Sequence, residues 1–209
     1  MIGIFGGTFD PIHNGHLRTA LDVYEALALD ELRFIPLGRA VHRDQPQTPA
    51  ATRLAMLQAA IGGQAGFTVD ERELNLSRPS YSVHTLQSLR AELGNEVPLC
   101  LLMGRDAFLG FADWRQPEKI LQLAHLVVMD RPGHGLPVAG ALHDLMQGRV
   151  TREVSDLRGA PGGYILFQPV TRLDISSSDI RARLAQGRSV RWLVPETVRV
   201  ILQAGSAAA

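Results

Sequence analysis

A chain of 209 residues with 45% hydrophobic content is long enough for one substantial core and short for two. Its 21 lysines and arginines balance its 21 aspartates and glutamates, so bulk charge argues against a nucleic-acid or membrane-surface binder and leaves phosphate binding to local clusters. The single Cys100 excludes an internal disulfide and fits a reducing cytoplasm; no apolar run approaches the roughly 18 residues of a membrane span, and the start lacks a basic n-region.

Short apolar runs alternate with amphipathic segments along the chain. Residues 1–5 read as a strand, 17–29 as a helix, 32–37 as a strand, 49–61 as a helix and 67–69 as a strand. A helix over 82–93, a strand over 97–103 that holds Cys100, a helix over 117–123, a strand over 125–129, a helix over 139–146 and a strand over 164–167 follow. A last helix opens near Ser176 and runs to about Gln186 before Gly187; Ser176 and Asp179 have capping-box spacing. Segments 132–137 and 159–163 are glycine- and proline-rich connections. The alternation predicts an α/β fold: one Rossmann-like, doubly wound parallel sheet with helices on both faces. One domain over residues 1–205 is expected, with 206–209 as a frayed tail.

In such a sheet ligands sit at the carboxyl ends of the strands, where strand order reverses. The loop at Gly6 and the loop Gly104-Arg105-Asp106 should therefore flank one pocket. Residues 6–16 read Gly-Gly-Thr-Phe-Asp-Pro-Ile-His-Asn-Gly-His, a glycine turn handing a strand over to a helix. Backbone N–H groups and the positive end of a helix dipole converge at such a junction and suit phosphate. His13 and His16, three apart, can face one ligand. The string is neither G-x-x-x-x-G-K-[ST] nor G-x-G-x-x-G. Zinc is disfavoured, because no third or fourth ligand has suitable spacing, and no metal site built by protein alone is expected.

The string His13-Asn14-Gly15-His16 resembles the signature of the nucleotidyltransferase superfamily marked by His-x-Gly-His, and Ile175-Ser176-Ser177-Ser178-Asp179-Ile180-Arg181 resembles its second signature. That resemblance implies catalytic roles for His13, His16 and Arg181, a nucleotide-site floor built from Gly6, Gly7, Thr8 and Phe9, and outer phosphates held by Ser177, Ser178 and Arg181. Arginine suits the last task because its charge is permanent and its fork presents several donors.

Between the signatures, Asp70-Glu71-Arg72-Glu73-Leu74, residues 78–86 (Arg-Pro-Ser-Tyr-Ser-Val-His-Thr-Leu), Gly104-Arg105-Asp106, Phe111 and Trp114 resemble the nicotinate mononucleotide adenylyltransferases, bacterial enzymes that make deamido-NAD. The resemblance covers essentially the whole chain. It implies that Thr85 binds the nicotinate carboxylate side, with backbone amides near Trp114, and that Trp114 stacks on the pyridine ring. Gly104 and Asp106 would meet the nucleotide, Asp106 at the ribose, and Arg131 the adenine side. The family commonly carries Pro-Pro-His and a basic residue after the second strand; this chain has Ala40-Val41-His42-Arg43, so His42 and Arg43 are substrate-phosphate candidates on a less preorganised loop.

The implied partners are ATP, with Mg2+ delivered on it, and nicotinate mononucleotide. The reaction would be attack of the mononucleotide phosphate on the α-phosphorus, with release of pyrophosphate. Rival acceptors are 4′-phosphopantetheine and nicotinamide mononucleotide. A rival of another class is a nucleotide-binding sensor without catalysis. Oligomeric state stays open, monomer or homodimer.

Overall fold

The first strand, β1 (Ile2–Gly7), is central, and its neighbours come from both halves of the chain. In the computed structural model, which describes residues 1–40, 45–130 and 138–207, seven strands form one sheet. The others are β2 (Glu31–Pro36), β3 (Phe67–Val69), β4 (Leu99–Gly104), β5 (His125–Asp130), β6 (Val150–Thr151) and β7 (Ile165–Pro169). Their order is β3-β2-β1-β4-β5-β7-β6, and every described pairing is parallel. Strand order reverses between β1 and β4, as the alternating pattern predicts.

Alternate strand residues serve opposite faces. Phe5, Phe34, Leu102 and Val127 pack on one side with α1 (Asn14–Ala26), α2 (Ala50–Ile61) and α9 (Glu196–Ala207). Ile4, Leu101, Met103 and Val128 pack on the other with α3 (Ser82–Leu93) and α5 (Pro117–Leu123). Helices on both faces explain why the strands read as unbroken apolar runs. Cys100 is fully buried in β4, its thiol pushed up to about 12 by desolvation. Among the described residues, no helix is long and apolar enough to cross a membrane.

The structure corrects several boundaries. Gly6 and Gly7 are not a turn: they pair with Ile35 and Pro36 and end β1, so the loop starts at Thr8. Helix α1 starts at Asn14, before its apolar periodicity, because His13 caps it, with Nδ1 accepting from His16 N. It stops at Ala26 instead of residue 29: Ala28 is left-handed (φ 46°), and Arg158 donates to the Leu27 and Ala28 carbonyls from 130 residues away. Three short elements carry too few residues for a readable period: α4 (Arg105–Leu109), α7 (Val154–Arg158) and β6. Between α5 and α7 lies α6 (Ala141–Met146), close to the expected helix. The expected tail at 206–209 is helical through Ala207, the last described residue.

Candidate active site

The carboxyl ends of β1 and β4 open into a cavity of about 580 Å³. From the first signature it is lined by Gly6, Gly7, Thr8, Phe9, His13 and His16; from the β4 loop, by Gly104 and Asp106. Ser177, Ser178 and Arg181 enter from α8 (Ser177–Ala185), which follows β7. Residues 160 positions apart thus share one wall, as the paired motifs implied. His42, Arg43 and Arg131 lie outside the described residues.

His13 and His16 stack, ring centroids 3.7 Å apart and 28° between planes. Burial lowers the His13 pKa to about 4, and burial with the neighbouring His13 lowers that of His16 to about 3. Both rings are therefore neutral near pH 7. Because His13 Nδ1 accepts from the backbone, its proton sits on Nε2 as a donor. His16 Nδ1 is buried without a partner, and its ring meets the edge of Phe9 at 5.3 Å. Phe9 is 1% exposed and holds a left-handed backbone (φ 48°), a conformation tolerated because its ring is wedged against Phe5, Phe34 and His16.

The start of α8 is fastened to the first loop. Ser177 Oγ donates to Pro11 O at 3.0 Å, Arg181 Nη1 donates to Asp10 O at 2.6 Å, and Arg181 Nε is buried without a partner. Ser176 Oγ caps the helix by accepting from Asp179 N at 3.1 Å. The reciprocal half of the expected capping box is absent, because the Asp179 carboxylate pairs with Arg183 instead. Gly6 and Gly104 have open space where a side chain would begin, so their backbones are bare toward the cavity.

Sequence reading missed the groups that hold these walls. Arg53 of α2 is 1% exposed, and its guanidinium donates to Thr8 O (2.8 Å), Leu37 O (2.9 Å) and Thr48 O (3.2 Å). Burial lowers its pKa, and the Asp10 carboxylate opposes the shift. Asp10, 3% exposed, accepts from Gln47 N through Oδ2, while Oδ1 has no partner. A signal for Arg53 existed: it shares the apolar stripe of Met56, Leu57 and Ile61. Arg105, in the loop expected at the pocket, lines the cavity and pairs with Asp130 at 2.5 Å, and Arg172 lines it from the segment before α8; spacing signalled neither the pair nor Arg172.

Thr85 and Trp114 do not line this cavity. They belong to a shelf beside it, built where the chain leaving β2 meets Glu73 and Ser80. Leu37 N donates to Gly7 O, and Ser80 N to Arg39 O. Thr85 is buried, its hydroxyl donating to Glu73 Oε1 at 2.6 Å. Trp114 is half-buried against Phe111, centroids 5.6 Å apart. The next residue, Arg115, lies 4.8 Å over the Tyr81 ring, four residues before Thr85, which joins the two halves of the shelf. Among the described residues, no cluster of three or more His, Cys, Asp or Glu could hold a metal.

The cytidylyltransferase-like family model matches residues 4–183. A Halorhodospira halophila protein named "Probable nicotinate-nucleotide adenylyltransferase" is 48% identical over 205 residues, 98% of this chain and 94% of its own. One of the same name from Pseudomonas paraeruginosa is 47% identical over 203 residues, 97% and 94% of the two chains. In fold, the solved nicotinic acid mononucleotide adenylyltransferase of Plasmodium falciparum complexed with NaAD is similar, with a TM-score of 0.67 at 18% identity over 98% of this chain and 95% of that one. The chain belongs to the cytidylyltransferase-like family, among the nicotinate-nucleotide adenylyltransferases.

Proposed function

We propose that this protein transfers the adenylyl group of ATP to nicotinate mononucleotide, giving deamido-NAD and pyrophosphate in NAD biosynthesis. The observation that carries this reading is the meeting of the stacked His13–His16 pair with Ser177, Ser178 and Arg181 across one cavity at the reversal of strand order. The names of the relatives support the acceptor.

A phosphate oxygen of the mononucleotide attacks the α-phosphorus of ATP, the bond from that phosphorus to the α,β-bridging oxygen breaks, and pyrophosphate leaves with the bond pair. The nucleophile is already anionic, so the protein need supply only in-line positioning and donors for the charge that develops. His13 gives Nε2–H to the α-phosphate region, and His16 provides a second ring donor. Ser177, Ser178 and Arg181 hold the departing phosphates at the start of α8. Gly6 and Gly104 let the nucleotide lie on bare backbone, and Asp106 meets the ribose. The orphan Asp10 Oδ1 fits a cation carried on the nucleotide, since Mg2+ held mainly by phosphates and water needs only one or two carboxylates. When bound, Mg2+ offsets charge on the leaving pyrophosphate. On the shelf, Thr85 and Trp114 receive the pyridine ring; His42 and Arg43, outside the described residues, are the candidates to bind the acceptor phosphate. A buried lone thiol suits a cytoplasmic setting.

The test is pyrophosphate release from Mg-ATP with nicotinate mononucleotide, nicotinamide mononucleotide or 4′-phosphopantetheine. The reading expects the acid to win. Preference for another acceptor overturns the substrate, and ATP binding without release supports the sensor instead. Losing one preorganised donor costs roughly 3 kcal/mol of barrier, so His16→Ala should lower turnover about a hundredfold or more.

A further inference from the structure

The shelf holds one buried acid that the mechanism above does not use. Glu73 follows β3 and is 9% exposed. The chain leaving β2 lies so close that a side-chain carbon on Gly38 would fall 2.1 Å from the Glu73 carbonyl oxygen. Glu73 has no counter-cation among the described residues. The charged group it feels is another carboxylate, Asp70, itself paired with Arg72 at 2.7 Å and Arg33 at 3.7 Å; its other polar neighbours are the Thr85 and Ser80 hydroxyls and the Gly38 backbone. Its firm contact is the 2.6 Å hydrogen bond from Thr85 Oγ1.

A threonine hydroxyl has one proton and two lone pairs. Given to an ionised Glu73, that proton leaves Thr85 with lone pairs alone for a ligand, and lone pairs suit the N–H of a carboxamide. A protonated Glu73 reverses the bond: the carboxyl donates to Thr85 Oγ1, and the threonine proton is free for a carboxylate. The alternative acceptor, the Tyr81 carbonyl, is 3.4 Å away, too distant to compete with an anion.

We propose that Glu73 sets the choice between acid and amide mononucleotides by fixing the direction of the hydrogen bond it shares with Thr85. Desolvation raises the Glu73 pKa above its ordinary value; the Thr85 and Ser80 hydroxyls oppose the rise and Asp70 adds to it, and the net rise favours the donor state that suits the acid. The inference rests on the placement of the pyridine ring beside Thr85 under the proposed function. Glu73 acts through Thr85 and is a positioning residue.

The experiment is the ratio of kcat/KM for nicotinate mononucleotide to that for nicotinamide mononucleotide, followed upward from about pH 4.3, the ordinary glutamate value, to about pH 8.5. Both substrates carry the same 5′-phosphate, so its titration cancels in the ratio. The ratio should fall about tenfold or more with rising pH as Glu73 ionises, follow one titration, and become flat in Glu73→Gln, whose amide does not titrate. Thr85→Val should flatten it too. A purely structural Glu73 would scale both substrates alike. A pH-independent wild-type ratio, or a titration that survives in Glu73→Gln, overturns the proposal while leaving adenylyl transfer intact. Failure to adenylylate either mononucleotide overturns the functional reading as well.

Discussion

Replacing Arg53 by Met keeps an unbranched apolar stem on the buried face of α2 and removes every donor of the guanidinium. Three carbonyls then lose a charged partner: Thr8 O at 2.8 Å, Leu37 O at 2.9 Å and Thr48 O at 3.2 Å. An unsatisfied buried carbonyl costs about 1–3 kcal/mol, and relief from burying a cation offsets part of the sum. We expect a net loss of about 3–4 kcal/mol. With a urea slope of about 2–3 kcal/mol per molar, the midpoint should fall by about 1–2 M at an unchanged slope. Thr8 belongs to the loop that lines the cavity proposed for the nucleotide, so the KM for ATP should rise more than that for the mononucleotide in assays below the transition. Arg53→Lys keeps the charge, but one ammonium cannot span three carbonyls, and it should fall between the two. A midpoint shift under about 0.3 M for Arg53→Met would mean that these carbonyls find other partners and that the clamp is not what holds the loop.

Histidine NMR titration of the free protein should show His13 and His16 unprotonated from pH 8 down to about pH 5, because burial holds their pKa values at about 4 and about 3. Unfolded histidines take up protons near 6.5, so the unfolded state binds more protons as pH drops below that value. Stability from this pair is present above pH 6.5 and declines toward about pH 4 for His13 and about pH 3 for His16. Normal titration near 6.5 would refute the burial argument. Gly38→Ala places a carbon 2.1 Å from the Glu73 carbonyl oxygen and should cost several kcal/mol in a thermal melt. By contrast, Gly104→Ala meets nothing within 4 Å and should leave stability within about 0.5 kcal/mol while raising the KM for ATP, since its methyl enters the cavity. Arg181→Lys keeps a charge but loses the fork that donates to Asp10 O, so it should slow turnover about tenfold or more with little change in acceptor KM. Unchanged turnover would remove Arg181 from phosphate binding.

The α/β class and the two signature motifs were legible in the chain because both are written in contiguous residues. Alternating apolar runs record burial on both faces of each strand, and a strand-to-helix junction carries its glycines, histidines and cap residues side by side. Even the dead end at Cys100 could be read, since an apolar run around one thiol has no partner to pair with. The segments 67–69, 82–93 and 117–123 coincide with β3, α3 and α5 for the same reason.

Tertiary structure alone decided what those residues touch. The 45-residue span from Arg53 to Thr8, the 171-residue span from Arg181 to Asp10 and the 12-residue span from Thr85 to Glu73 are closed by folding, and no local period encodes them. The same holds for protonation. His13 and His16 are neutral and Glu73 is a weaker acid than a free glutamate because the fold withdraws water from them, a property of their surroundings that the residue letters do not carry. The sequence by itself carried the two signature motifs that meet at the cavity; the packing determined which of their groups donate, which accept and which hold the others still.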